Sequence, residues 1–333
     1  MTVPRHVLQV MVLCVMGAAG CATTNYRGAL RTLSYDTITP FLNKYERKWA
    51  KEMKELFKAI RDGADVNTWS QSGYTMLMYA SDRGHRDLAE FLIRKGADVK
   101  MSGPEGWTAL MAAAQAVDVD MIKLLAANGA DVNARNENQY TALILAAGED
   151  DDNPEAVKVL LEIGADINAT NESGESALSL ATYYNNLKSM AVLIANGADV
   201  KGRIVCEKMT ILMIAAANGH EKAASLLLAN GADADAKDAF GSTAFMRAAF
   251  SGNVQTLKLL MPKVADLDAR ADQGETALYW AASSGNLKTA RFLIKHGADI
   301  NARTKGGLTP LGVALKNNNP KIVHLLRKHG AKE

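Results

Sequence analysis

The sequence predicts an all-α solenoid in which paired antiparallel helices, joined by turn or hairpin fingers, pile into a curved stack. Three observations predict it. First, the tripeptide Gly-Ala-Asp recurs at Gly63, Gly96, Gly129, Gly164, Gly197, Gly231 and Gly297, with a worn copy at Val264-Ala265-Asp266 and a last one at Gly330-Ala331. The steps between them are 33, 33, 35, 33, 34, 33, 33 and 33 residues, and a fixed period of that size marks stacked repeats. Second, each period opens on Thr or Ser followed by an apolar residue and Leu or Phe. Third, each closes on a helix-like run with a single apolar face, which one unit cannot bury alone but a stack can.

Residues 275–302 show how each element arises. The Thr276 hydroxyl suits a helix N-cap, because it can accept an orphan backbone N–H. In the last unit the pair Thr309-Pro310 adds proline at the first helical position. A short first helix carries Leu278 and Ala281, and Gly285 can end it in a left-handed conformation. Asn286 is expected to cap the second helix. Asn153-Pro154 and Asn319-Pro320 repeat that signal as cap plus proline. Leu287, Ala290, Leu293 and Ile294 fall at i, i+3, i+6 and i+7, one helix face. Gly297 ends the helix, and a polar turn leads to the next Thr.

These residues carry a resemblance. The unit is similar to the ankyrin repeat, whose pattern runs T-P-L-H-x-A-A…G-H…L-L…G-A-D-x-N. The openings are Thr75-Met76-Leu77, Thr108-Ala109-Leu110, Thr141-Ala142-Leu143, Ser176-Ala177-Leu178, Thr210-Ile211-Leu212, Thr243-Ala244-Phe245, Thr276-Ala277-Leu278 and Thr309-Pro310-Leu311, eight repeats in all. The family's His after Leu is absent throughout. Met78, Met111, Ile144, Ser179, Met213, Met246, Tyr279 and Gly312 stand there, so the inter-repeat hydrogen bonds expected of that His must be replaced, mostly by apolar packing.

The boundaries follow. Residues 1–20 read as a signal peptide: Arg5 and His6, an apolar run over residues 7–19, then Ala18-Ala19-Gly20. The run is too short to span a bilayer as a helix. Ala-Gly-Cys resembles a bacterial lipoprotein box, which implies lipidation of Cys21, although Ala18 stands where that motif usually has Leu. Two or three acyl chains would anchor the protein stably. Ala22 in place of Asp implies, by the same resemblance, an outer-membrane lipoprotein facing the periplasm. An ordinary cleaved signal peptide that precedes a cysteine, giving a soluble periplasmic or secreted protein, would leave the same residues. Residues 21–40 read as the lipidated Cys and a flexible tether, able to reach about 70 Å when extended. Residues 41–67 read as an irregular N-terminal capping unit, with Trp49, Met53, Leu56, Phe57 and Ile60 on one side of a helix. Residues 68–333 hold the eight repeats, the last acting as C-terminal cap. Of the three cysteines, processing would leave only Cys206 as a free thiol; no metal spacing or disulfide framework is present.

Charge is segregated although the whole chain carries only +2. Residues 131–199 hold twelve acids and three bases, residues 288–333 ten bases and two acids, and residues 27–61 nine bases and four acids. Lys and Arg at the two ends can simply solubilise them. Alternatively, the acidic middle steers a basic partner, and the basic end meets an anionic envelope polymer. The repeat opened by Thr141 carries two extra residues in 148–154, read as a solvated acidic loop, because the run lacks the glycine and glutamate of a calcium-binding EF-hand loop. The turn at residues 201–209 has one extra residue and no glycine where Gly241 and Gly274 stand in its siblings, and it reads as a local insertion that packs on the stack.

The ankyrin resemblance implies binding by the turn tips and first helices, which line a concave face. The position before each opening residue is Tyr74, Trp107, Tyr140, Glu175, Met209, Ser242, Glu275 and Leu308. The first three form an aromatic row, with Trp69 nearby at a turn tip. Tyr183, Tyr184 and Phe250 sit at the ends of first helices. These rings could pack on neighbouring turns or form a hot-spot cluster. Arg247 and Trp280 lie one step inside, as core or rim. No nucleophile constellation, phosphate loop or zinc helix is present; His324 and His329 are five apart, not i, i+4. The expectation is a non-enzymatic binder of a protein partner, membrane-attached through Cys21, with no cofactor, small-molecule substrate or nucleic acid. A structural tether to an anionic polymer and a toxin-neutralising protein are the alternatives.

Overall fold

A computed structural model describes residues 55, 57–60, 62–205 and 207–332. The chain divides into two units, Met1–Glu55 and Leu56–Glu333. The signal peptide, Cys21, the tether, most of the capping unit (including Trp49, Met53 and Leu56) and Cys206 lie outside the described residues.

The second unit is an all-α repeat solenoid. Its helix pairs are α1 (Met76–Asp82) and α2 (Arg86–Arg94), α3 (Ala109–Gln115) and α4 (Val119–Ala127), α5 (Ala142–Ala147) and α6 (Pro154–Glu162), and α7 (Ala177–Tyr183) and α8 (Leu187–Ala195). They continue as α9 (Ile211–Asn218) and α10 (Glu221–Ala229), α11 (Ala244–Ser251) and α12 (Val254–Leu260), α13 (Ala277–Ser283) and α14 (Leu287–Lys295), and α15 (Pro310–Lys316) and α16 (Pro320–Lys328). Each first helix packs on the first helix of the next repeat, and each second helix on the next second helix. Before α1, Phe57 meets Phe91 of α2 with ring centroids 6.4 Å apart, and Ile60 is buried.

The opening residue caps every first helix. In all eight repeats its hydroxyl accepts the backbone amide three residues on, at 3.1 to 3.4 Å. The second helices depart from expectation. Asn153 caps α6 by accepting from the Ala156 amide, but Asn186, Asn253, Asn286 and Asn319 make no side-chain cap bond. Their amides reach back into the preceding repeat. Asn286 Nδ2 donates to Phe250 O at 2.5 Å, Asn319 to Ala282 O at 2.9 Å, Asn253 to Ala216 O at 3.3 Å and Asn186 to Ala147 O at 3.1 Å. The last carbonyls of a helix lack intrahelical partners. The side chain therefore satisfies a greater need in the previous repeat than at its own helix start.

Two further ladders join the repeats. The side-chain oxygens of Asn67, Asn133, Asn168, Asp235, Asp268 and Asn301 accept backbone amides of the next repeat's closing turn, as in Asp166 N to Asn133 at 2.8 Å. At the finger tips the bonds are backbone to backbone. Glu137 N donates to Glu105 O at 2.7 Å, Glu172 to Asn138 at 3.1 Å, Val205 to Ser173 at 2.7 Å, Ala239 to Glu207 at 2.7 Å, Asp272 to Phe240 at 2.9 Å and Lys305 to Gln273 at 2.7 Å. Pro104 occupies the donor position in the second finger and has no N–H to give. Close approach needs glycine: a Cβ at Gly241, where φ is +73°, would lie 2.7 Å from the Asp272 amide nitrogen.

Five of the eight residues replacing the family's His pack as apolar core. Met78, Met111, Ile144, Met213 and Met246 are buried. The hydrogen bonds between repeats are supplied by the ladders, so packing alone does not replace them.

Candidate protein-interaction face

The first helices and the inner sides of the fingers meet on one surface. Tyr74, Trp107 and Tyr140 stand at the finger bases, where their carbonyls close the fingers by accepting from Ser70, Gly103 and Asn136. All three are half-buried. Trp69, at the first finger, is 44% exposed.

The fuller aromatic exposure lies at the ends of first helices. Tyr183, the last residue of α7, is 54% exposed and meets half-buried Tyr184 edge-on at 5.1 Å. Phe250 on α11 is 50% exposed and meets Trp280 of α13 edge-on at 5.7 Å. Trp280 in turn meets Tyr279 at 5.7 Å. Thus Tyr183 with Tyr184, and Phe250 with the half-buried Trp280, form two aromatic groups.

Phe240, 57% exposed at a finger tip, escaped the sequence reading. Its siblings in register are Ser72, Glu105, Asn138, Ser173, Glu207, Gln273 and Gly306. An aromatic ring among polar and small tip residues was the available signal.

Arg247 ties this surface to the fingers. Its guanidinium donates to Asp238 Oδ2 at 2.5 Å and to Glu207 Oε2 at 2.7 Å. The Asp238 side chain is fully buried and also accepts the Phe240 and Ser242 amides at 2.9 Å. A buried carboxylate so placed requires its partner. The odd turn before α9 is bound on both sides: Val205 N donates to Ser173 O, and Arg203 donates to Lys237 O at 2.7 Å. It therefore packs into the finger row, although Val205 itself is 66% exposed. Lys208, standing at the missing glycine's position, takes φ +52°.

The acidic loop of the repeat opened by Thr141 is more than a solvated run. Asp152 Oδ1 accepts from Ser189 N at 2.9 Å and its Oδ2 from Lys188 N at 2.8 Å, at the start of the next repeat's second helix. The Glu149 carbonyl accepts from Asn186 at 2.6 Å. Burial raises the Glu149 carboxyl to about 7; Asp150 and Asp151 push the same way, and a hydrogen bond from Gln115 opposes them. Burial also raises Tyr184, helped by Asp150, Tyr183, Glu149 and Tyr140, and raises Tyr74, helped by Glu105 and Asp82. Acids and rings therefore lie within each other's fields. Among the described residues no group of His, Cys, Asp and Glu could hold a metal, and no helix is long and apolar enough to cross a membrane.

Stacked helix pairs with a ring-bearing surface define a repeat scaffold of the protein-binding kind. A family model described as ankyrin repeats (three copies) matches overlapping windows over residues 48–136, 95–171, 119–204, 143–238, 180–271, 212–304 and 245–333. The chain belongs to the ankyrin-repeat family, whose members are generally non-enzymatic scaffolds for protein–protein interaction. No curated protein matches the chain.

Proposed function

We propose that this chain is an exported, lipid-anchored ankyrin scaffold that holds a protein partner in a bacterial cell envelope, with the first-helix face as its binding surface. The observation that carries the reading is the pair of aromatic groups, led by Tyr183 and Phe250, exposed on a face built from registered repeats. Large rings half in water contribute more when a partner covers them than when they face solvent. Export and anchoring rest on the apolar run before Ala18-Ala19-Gly20-Cys21. The test is capture from envelope extracts with the mature chain and with Tyr183→Ser and Phe250→Ser combined. Loss of the recovered partner in the double variant is expected; unchanged recovery removes this face. Incorporation of a fatty-acid probe that vanishes in Cys21→Ser tests the anchor.

A second reading is favoured by one observation. A groove between α14 and α16 is rimmed by Arg291, Lys295, Lys321 and Lys328 over an apolar floor that includes Ile294 and Leu325. A tether gripping an anionic envelope polymer would use it. Sedimentation with cell-wall material that survives charge reversal of Lys321, Arg327 and Lys328 would remove that reading.

A further inference from the structure

We infer that the segment seated on the first-helix face between α3 and α7 is cationic, a stretch of protein in which lysine or arginine alternates with aliphatic residues. The inference rests on the reading that this face binds protein and adds the partner's chemistry.

The argument begins with uncompensated charge. Residues 131–199 carry twelve acids against three bases. Ion pairs elsewhere absorb such charges, as Arg247 does for Asp238 and Glu207. Among the described residues Glu149, Asp150 and Asp151 make no ion pair. Glu149 is held against Gln115, at the end of α3, beside the like charges of Asp150 and Asp151. Like charges on a partly desolvated surface disfavour one another, and a cation brought among them relieves that cost.

The rings supply the second part. Tyr184 lies within the field of Glu149 and Asp150, Asn186 two residues on donates to the Glu149 carbonyl at 2.6 Å, and Tyr183 stands edge-on to Tyr184 with more than half its surface exposed. Acids beside aromatic faces suit side chains with an apolar stem and a cationic head. The stem covers ring surface while the head meets carboxylate or ring face. A neutral apolar segment would cover the rings but leave the carboxylates opposed, and an acidic one would be repelled.

One consequence concerns pH. The groups facing Glu149 are Gln115, Asp150, Asp151 and Tyr184. With its carboxyl at about 7, Glu149 gains charge as pH rises through neutrality, so cation binding strengthens across that interval.

The test uses the mature chain and three fluorescein-labelled peptides, in which Leu alternates with Lys, Ser or Glu. The Lys–Leu peptide is expected to bind about tenfold more tightly than Ser–Leu, a step of about 1.4 kcal/mol, and to weaken with added salt. Glu149→Gln with Asp150→Asn is expected to weaken Lys–Leu binding about tenfold and to flatten its rise across pH 7. Glu155→Gln with Glu162→Gln, on exposed positions of α6, is expected to leave it unchanged. Equal loss in both double variants, or none in the first, overturns the inference. Ser–Leu binding of equal affinity that Tyr183→Ser abolishes also overturns the charge assignment, while leaving a protein-binding face. Peptides that all ignore Tyr183→Ser overturn both readings.

Discussion

Val117 takes φ +50° between α3 and α4, where Gly84, Gly219, Gly252 and Gly285 occupy the same slot in sibling repeats with φ of +64° to +85°. A β-branched residue in the left-handed region carries strain of about 1–3 kcal/mol. Glycine relieves it but loses about 0.5–1 kcal/mol in chain entropy. Val117→Gly is therefore expected to raise stability by about 1 kcal/mol in urea unfolding. Gly241→Ala goes the other way, because its new methyl would press on the Asp272 amide that makes a finger rung. A loss of about 1–3 kcal/mol is expected in the same measurement. Glu149 gives a pH dependence whose sign follows from linkage. Its carboxyl holds a proton to about 7 when folded, against an ordinary value of 4.5, so the folded state binds protons more tightly than the unfolded one. Its contribution to stability is full below the unfolded value and is lost as pH rises to about 7. Glu149→Gln should flatten the stability profile across that window, and an unaltered slope would contradict the assignment.

At the scale of the elements, the helices were legible because their signals are local. Thr276 and its equivalents announce a cap, and all eight make the bond. The Asn286 slot was misread because asparagine is both a good N-cap and a good reaching amide, and only tertiary context chooses. That difference can be measured. Serine is an excellent N-cap but is too short to reach Phe250 O. Asn286→Ser should therefore cost about as much as Asn286→Ala, roughly 0.5–1.5 kcal/mol for the lost hydrogen bond. A serine variant as stable as the native chain would restore the capping role. The finger ladder was illegible for a different reason: its bonds run between backbone groups, and only the positive-φ glycines hint at it. Phe240 was passed over because the binding row was sought one residue before each opening Thr, not at the tip. The half-burial of Tyr74, Trp107 and Tyr140 was likewise invisible, since burial depends on tertiary packing that no local pattern encodes.

At the scale of the whole repeat array, stability is close to a sum of repeats and the joints between them. The finger rungs make six of those joints continuous in backbone bonding, and Pro104 withholds the donor from the joint before them. Hydrogen exchange should find the amides of Glu137, Glu172, Ala239, Asp272 and Lys305 slow for loop residues, since each is a ladder donor. Function also belongs to this scale. Among the described residues, equivalent positions in successive repeats lay out rings and charges along a face, with acids in the middle repeats and bases towards residue 333. The most direct measurement is site-specific photo-crosslinking in the host cell. A photoreactive residue would replace Tyr183 or Phe250 on the first-helix face, or Lys188 or Lys258 on exposed positions of second helices. The account predicts one protein adduct, of the same mass, from Tyr183 and Phe250 and none from the two lysine positions. Adducts from Lys188 and Lys258 with none from Tyr183 and Phe250 would contradict it.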